Sequence, residues 1–188
     1  SDMVEAVCAL DMRERGVLAG DTVVSTVMCN FGFVRAMKEM GINVVQTKVG
    51  DRYVLEAMRE HGYSIGGEQS GHMILLDHNS TGDGLMTACQ FLAAVIRSGK
   101  PVAEAIQVME KMPQTLINVR VNDKHAVEDS AEVAAAVASA EEALGEDGRV
   151  LLRPSGTEPV VRVMVEAVDP AAAQAHAEAI AAVVEACV

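Results

Sequence analysis

From Ser1 to Lys111 the chain alternates short β-branched runs with stretches of helical period, and a glycine marks most of the changes. Apolar residues recur at helical spacing over 3–15 and stop at Gly16. Val23 to Met28 reads as a strand, 31–40 as a helix stopped by Gly41, and 42–47 as a second strand. Asp51 is placed to cap a helix over 52–60, which Gly62 closes. Met73 to Leu76 reads as a strand. A helix over 84–98 ends at Gly99, and Pro101 opens another over 101–111. Such alternation restricts the fold to α/β layering around a mostly parallel sheet, because parallel neighbours need a crossover and helices supply it.

Near Pro113 the order changes. A strand over 116–122, an Ala-rich helix over 127–144, strands at 150–152 and 160–165, and a final helix opened by Asp169-Pro170 give β-α-β-β-α. That is the pattern of a small two-layer α+β domain. The expected organisation is therefore an α/β domain over 1–112 and an α+β domain over 113–188.

The formal charge of -12 repels nucleic acid and anionic membrane surfaces. With aromatics at 3% and no Trp, no stacking platform for single strands exists either. No apolar run is long enough to span a bilayer. Asp2, Glu5, Asp11, Arg13, Glu14 and Arg15 near the start do not make a signal peptide. Cys8, Cys29, Cys89 and Cys187 form no CxxC pair and have no histidine cluster beside them; they read as buried small hydrophobes of a reduced, cytoplasmic protein. An anionic ligand must then be held by a local basic site set against the global field.

One such site is visible. From Pro113 onward thirteen acids face five bases, yet Arg149, Arg153 and Arg162 crowd around one turn. In Arg153-Pro154-Ser155-Gly156-Thr157-Glu158-Pro159 the glycine permits a turn with converging amides, Ser155 and Thr157 add hydroxyls, and Arg153 suits bidentate phosphate contact. Arg162, on the outgoing strand, can reach the same anion. A second segment, Gly66-Gly67-Glu68-Gln69-Ser70-Gly71-His72, lacks the Lys and hydroxyl of a nucleotide loop. On an extended chain Glu68 and Ser70 would point to one side, suited to adjacent sugar hydroxyls. His72 would extend that side as a candidate acid or base. Lys48 and Arg52 flank a strand-to-helix turn that can favour an anion. Asp77 to Asp83 lacks the closing glutamate of a calcium loop, so Thr81-Gly82-Asp83-Gly84 reads as a helix cap.

Five segments in this order, TVVSTVMCN (22–30), VGDRYV (49–54), GEQSGH (67–72), TGDG (81–84) and RPSGTEPVVR (153–162), resemble the C-terminal half of the α-D-phosphohexomutases over nearly the whole chain. The resemblance implies the third and fourth of that family's four domains. It makes Gly67, Glu68, Gln69, Ser70, Gly71 and His72 a sugar-reading loop, and Arg153, Ser155, Gly156, Thr157 and Arg162 the holder of the substrate's non-reacting phosphate. Gln69 looks like the branch that acts on glucosamine phosphates; glucose or mannose phosphate specificity and a stand-alone phosphosugar-binding module are the alternatives. In this family a phosphoserine exchanges its phosphoryl group with a hexose phosphate through a bisphosphate intermediate, with Mg²⁺ held by three aspartates. No Ser-His-Asn loop and no D-G-D-G-D run occurs in this sequence. The expectation is a chain that recognises a hexosamine phosphate, contains no metal site, relies on N-terminal domains of the same protein for catalysis, and is inactive by itself.

Overall fold

The structure, a computed structural model, describes residues 1–156 and 158–187, without the side chains of residues 124 and 125. It divides into two compact units, Ser1–Lys111 and Met112–Val188.

The first unit is a four-stranded sheet in the order β2-β1-β3-β4. β1 (Thr22–Thr26) runs parallel to β2 (Asn43–Thr47) and to β3 (Ile65–Gly67), and β4 (Met73–Leu75) returns antiparallel beside β3. All five β1 residues are buried, as expected of a strand covered on both faces. Successive side chains divide between those faces. Val23, Ile65 and Met73 join a core with α1 (Asp2–Glu14) and α2 (Phe31–Glu39), which includes Ala6, Phe33 and Met37. Val24 and Ile74 pack with Val54 and Met58 of α3 (Asp51–His61). The result is a mixed, parallel-rich α/β/α unit.

β3 is the element that sequence pattern missed. Three residues containing two glycines carry no strand signature; pairing with Val24 and with β4 makes them a strand. Gly66 has no room for a side chain, since a Cβ there would lie 2.8 Å from Met58 Sδ, Val24 O and Val54 Cγ1. α3 also starts differently. Gly50 is its N-cap, and Asp51 is the first helical residue, where its charge favours the helix N-terminus. α4 (Gly84–Ser98) is capped by Asp83, whose Oδ1 accepts from the amides of Leu85 and Met86. The helix expected over 101–111 is only Val102–Ala105, α5, with Pro101 as its N-cap. Val108 and Met109 beyond it pack against the core, and that burial overrides helix propensity.

The second unit is an antiparallel sheet in the order β5-β7-β6, formed by Gln114–Arg120 (β5), Gly148–Pro154 (β6) and Val160–Ala167 (β7). The Ala-rich segment is two helices, α6 (Lys124–Glu128) and α7 (Ala131–Leu144). Ser130 starts the second by accepting from the Val133 amide. Asp169 caps α8 (Pro170–Ala186) at the Ala171 amide. Val119, Val150, Val161, Val163 and Val165 face Ala140, Leu144, Ala177 and Ile180 across one side of the sheet. By strand alternation, Asn118, Arg153 and Arg162 stand on the other side.

No helix among the described residues is long and apolar enough to cross a membrane. Cys8 and Cys29 are buried, but Cys89 is exposed and Cys187 half-buried, so the uniform burial expected of the cysteines does not hold.

Candidate functional site

In the first unit, β1, β2 and β3 end side by side, and the loops at their carboxyl ends lie at the same edge. That edge, where the crossovers diverge from β1 toward β2 and β3, is where open α/β sheets hold ligands. The β3–β4 loop is tighter than its sequence implies. The Gly71 amide donates to Glu68 O at 3.0 Å, and the Glu68 amide donates to His72 O at 2.8 Å. Gly71, at φ +113, makes the reversal. The chain therefore turns across 68–71, and the extended, one-sided display expected of Glu68 and Ser70 does not occur.

Each loop residue then has its own environment. Glu68 is buried, and its Oε1 accepts from the Gly50 amide at 2.9 Å. This bond fastens the β3–β4 loop to the β2–α3 loop that carries Lys48 and leads into Arg52 on α3. His72 has 59% of its side chain exposed, with Nδ1 4.0 Å from Glu68 Oε2. Gly82 of the segment before α4 sits against the His72 ring, since a Cβ there would come 3.0 Å from Cδ2. Ser70 and Gly71 are exposed, and Gln69 is half-buried. The Gln69 carbonyl accepts from Ser1 Oγ at 2.8 Å. Lys48 is exposed, whereas Arg52 lies along its own helix with Nε 2.7 Å from Glu56 Oε1. Glu68, His72 and Gly50 thus converge; Arg52 is directed elsewhere.

Sequence reading overlooked Glu5. It lies on α1, where Asp2 and Asp11 are also buried, and it is 2% exposed. Its Oε2 is 3.2 Å from where a Gly67 Cβ would sit, and its Oε1 has no hydrogen-bond partner among the described residues. Burial, then the nearby Asp2 carboxylate, pushes its pKa up to about 8; the N-terminal ammonium and a Ser25 hydrogen bond offset part of the rise. Ser25 Oγ also donates to Gly67 O at 3.3 Å. A neutral carboxylic acid therefore lies directly behind the strand that launches the loop. No periodicity marks it; only the packing of β3 against α1 does.

In the second unit the β6–β7 register places Arg153 directly opposite Arg162. Arg162 Nη2 contacts Glu158 Oε2 at 3.0 Å. Arg153 has no carboxylate partner among the described residues. Arg149 does not join them: it faces Glu166 further along the hairpin, with Nε 2.7 Å from the buried Oε2. Ser155 is buried, its Oγ accepts from the Glu158 amide at 3.2 Å, and its own amide donates to Val160 O at 2.9 Å. Those two amides are consumed in shaping the hairpin. Gly156 is exposed, is not left-handed, and has nothing within 4 Å of a built Cβ, so its value is open access rather than backbone freedom. Thr157 lies outside the described residues. An open groove of about 830 Å³ lined by Ser130, Glu132, Val183 and Cys187 contains none of the motif residues.

Among the described residues no group of three or more His, Cys, Asp or Glu side chains is arranged to hold a metal ion. These residues do not fit a Mg²⁺ site.

A parallel-rich α/β/α unit followed by a small unit with a three-stranded antiparallel sheet is the order of two consecutive domains of a known family. Residues 1–112 match the family model described as phosphoglucomutase/phosphomannomutase, alpha/beta/alpha domain III, and residues 116–183 match the one for the C-terminal domain; the chain belongs to that family. It is 58% identical over 185 residues to the phosphoglucosamine mutase of Frankia alni, covering 98% of this chain and 41% of that protein. It is 60% identical over 168 residues to the phosphoglucosamine mutase of Streptomyces coelicolor, covering 89% and 37%. The chain thus spans about two-fifths of the length of these relatives. The crystal structure of Aspergillus fumigatus N-acetylphosphoglucosamine mutase in complex with GlcNAc-6P and magnesium shares the fold, at a TM-score of 0.80 and 20% identity over all of this chain and 44% of that one.

Proposed function

We propose that this chain supplies substrate recognition to a phosphoglucosamine mutase, an isomerase that interconverts glucosamine 6-phosphate and glucosamine 1-phosphate through a phosphoserine and a 1,6-bisphosphate. Residues 1–112 read the sugar, and residues 113–188 hold the phosphate that is not reacting. Phosphoserine and Mg²⁺ chemistry belongs to parts of the longer relatives that this chain does not match, so the chain by itself gives no turnover.

The facing of Arg153 and Arg162 supports this reading most strongly. Like charges directly opposite on paired strands are destabilising. A phosphate monoester between two guanidiniums relieves that repulsion and gains charge-assisted hydrogen bonds. The exposed Gly156 leaves the approach open. On the first unit, Glu68 is held by Gly50 with His72 beside it, so a ring hydroxyl meets a carboxylate already oriented before binding. Glucosamine selectivity rests on Gln69 within that loop and on relatives of that name at 58–60% identity.

Calorimetry on this chain tests the reading. Glucosamine 6-phosphate is expected to bind more tightly than mannose 6-phosphate, and unphosphorylated glucosamine not measurably. Equal affinity for glucosamine with and without its phosphate contradicts the phosphate assignment. Equal affinity for the two hexose phosphates contradicts the sugar assignment.

A further inference from the structure

Glu158 lies in the phosphate hairpin without an evident use there, since a carboxylate beside a phosphate repels it. Its contact with Arg162 is single-toothed: Nη2 meets Oε2 at 3.0 Å, while Arg162 Nε is buried with no hydrogen-bond partner among the described residues. A carboxylate built as a permanent clamp takes both teeth of a guanidinium. Glu158 takes one, and its side chain remains 60% exposed. Its backbone is anchored all the same, because its amide donates to Ser155 Oγ. The result is a tethered, solvent-facing carboxylate resting on one of two facing arginines, with no carboxylate on Arg153 among the described residues.

We propose that Glu158 is a built-in competitor for the anion, occupying Arg162 until a phosphate dianion displaces it. This deepens the reading of Arg153 and Arg162 as a phosphate holder and rests on it. While it holds Arg162, Glu158 neutralises half of the arginine pair and limits their repulsion. An entering dianion takes over Arg162 and bridges to Arg153, and the Glu158 carboxylate swings into the water it already touches. A dianion gains more from two guanidiniums than a monoanion does, so competition from Glu158 favours doubly charged phosphate esters. Exposed ion pairs are weak, which keeps the exchange cheap and reversible.

The test is the affinity of the 188-residue chain for inorganic phosphate at pH 8, unaltered and with Glu158→Gln, Arg153→Ala as control, and the Arg162 Nε–H resonance followed by NMR. A competitor predicts about three- to tenfold tighter phosphate binding in Glu158→Gln. It also predicts an Arg162 resonance in that variant that already differs from the unaltered chain before phosphate is added. A residue that merely shapes the turn predicts weaker binding. Unchanged or weaker binding by Glu158→Gln, with binding still lost in Arg153→Ala, overturns the competitor and leaves the phosphate site standing. Phosphate binding that is undetectable in both the unaltered chain and Glu158→Gln overturns the phosphate site and the competitor together.

Discussion

Replacing Glu5 with glutamine stabilises the first unit at neutral pH, and the size follows from where the carboxyl sits. Glu5 is buried behind Gly67 with one oxygen unpartnered among the described residues, and its pKa is about 8 in the folded chain against an ordinary 4.5. Between those values the folded state keeps a proton that the unfolded state has lost. Stability therefore falls as pH rises, with a slope of up to about 1.4 kcal/mol per pH unit. The penalty is absent below pH 4.5, reaches about 3 kcal/mol by pH 7, and levels off above pH 8. That is a large share of the roughly 5–15 kcal/mol that holds a domain folded. Glutamine keeps the shape and can still bond Ser25, but it does not titrate. Both tyrosines, Tyr53 and Tyr63, lie in the first unit and there is no Trp, so tyrosine fluorescence during urea unfolding reports on that unit alone. The gap between the midpoints of Glu5→Gln and the unaltered chain should widen steadily from about pH 5 to about pH 8 and close only below about pH 4.5. Parallel pH profiles for the two would refute the reasoning.

Other outcomes follow from the same geometry. Arg153→Ala weakens phosphate binding by about 1.5–3 kcal/mol, the range for a hydrogen bond to a charged group, checked by calorimetry with inorganic phosphate. Asp11 ties α1 to α4 through Arg97, with Nε–Oδ1 at 2.6 Å, and also accepts from Arg15. Burial acts to raise its pKa, but the hydrogen bonds from Arg97 and Arg15 outweigh that and leave it below the ordinary 3.8. Its contribution is complete above pH 3.8 and is lost as pH falls through the lower folded value. Asp11→Asn should cost about 1–2 kcal/mol at pH 7 and flatten the acid limb of the unfolding profile. Glu68→Gln keeps the bond from Gly50 but removes the charge facing His72. Thermal stability should hardly move, while affinity for the sugar part of glucosamine 6-phosphate falls.

Local pattern made some of this legible and long-range pairing the rest. α1, α4 and α8 could be read because each has its period and its stop or cap written within a few residues, as at Asp83 and Asp169. The arginine hairpin could be read because Arg153 and Arg162 flank a short turn, so their meeting across β6 and β7 is a local event. β3 could not be read, since Ile65-Gly66-Gly67 is a strand only through partners some forty residues upstream on β1 and, across the hairpin, on β4. Missing β3 also hid the tight turn after it, so Ser70 was expected beside Glu68 rather than out in solvent. Glu5 was invisible for the same reason: what buries it is β3. Arg149 was grouped with the anion site by sequence proximity, but strand geometry moved it along the hairpin to Glu166.

The most direct test of the account is a two-dimensional NMR titration of this chain, first with inorganic phosphate and then with glucosamine 6-phosphate. The account predicts that phosphate moves Gly156 and the side-chain resonances of Arg153 and Arg162, and that the sugar phosphate moves these and residues 67–72 as well. Phosphate that leaves Gly156, Arg153 and Arg162 unmoved would contradict it.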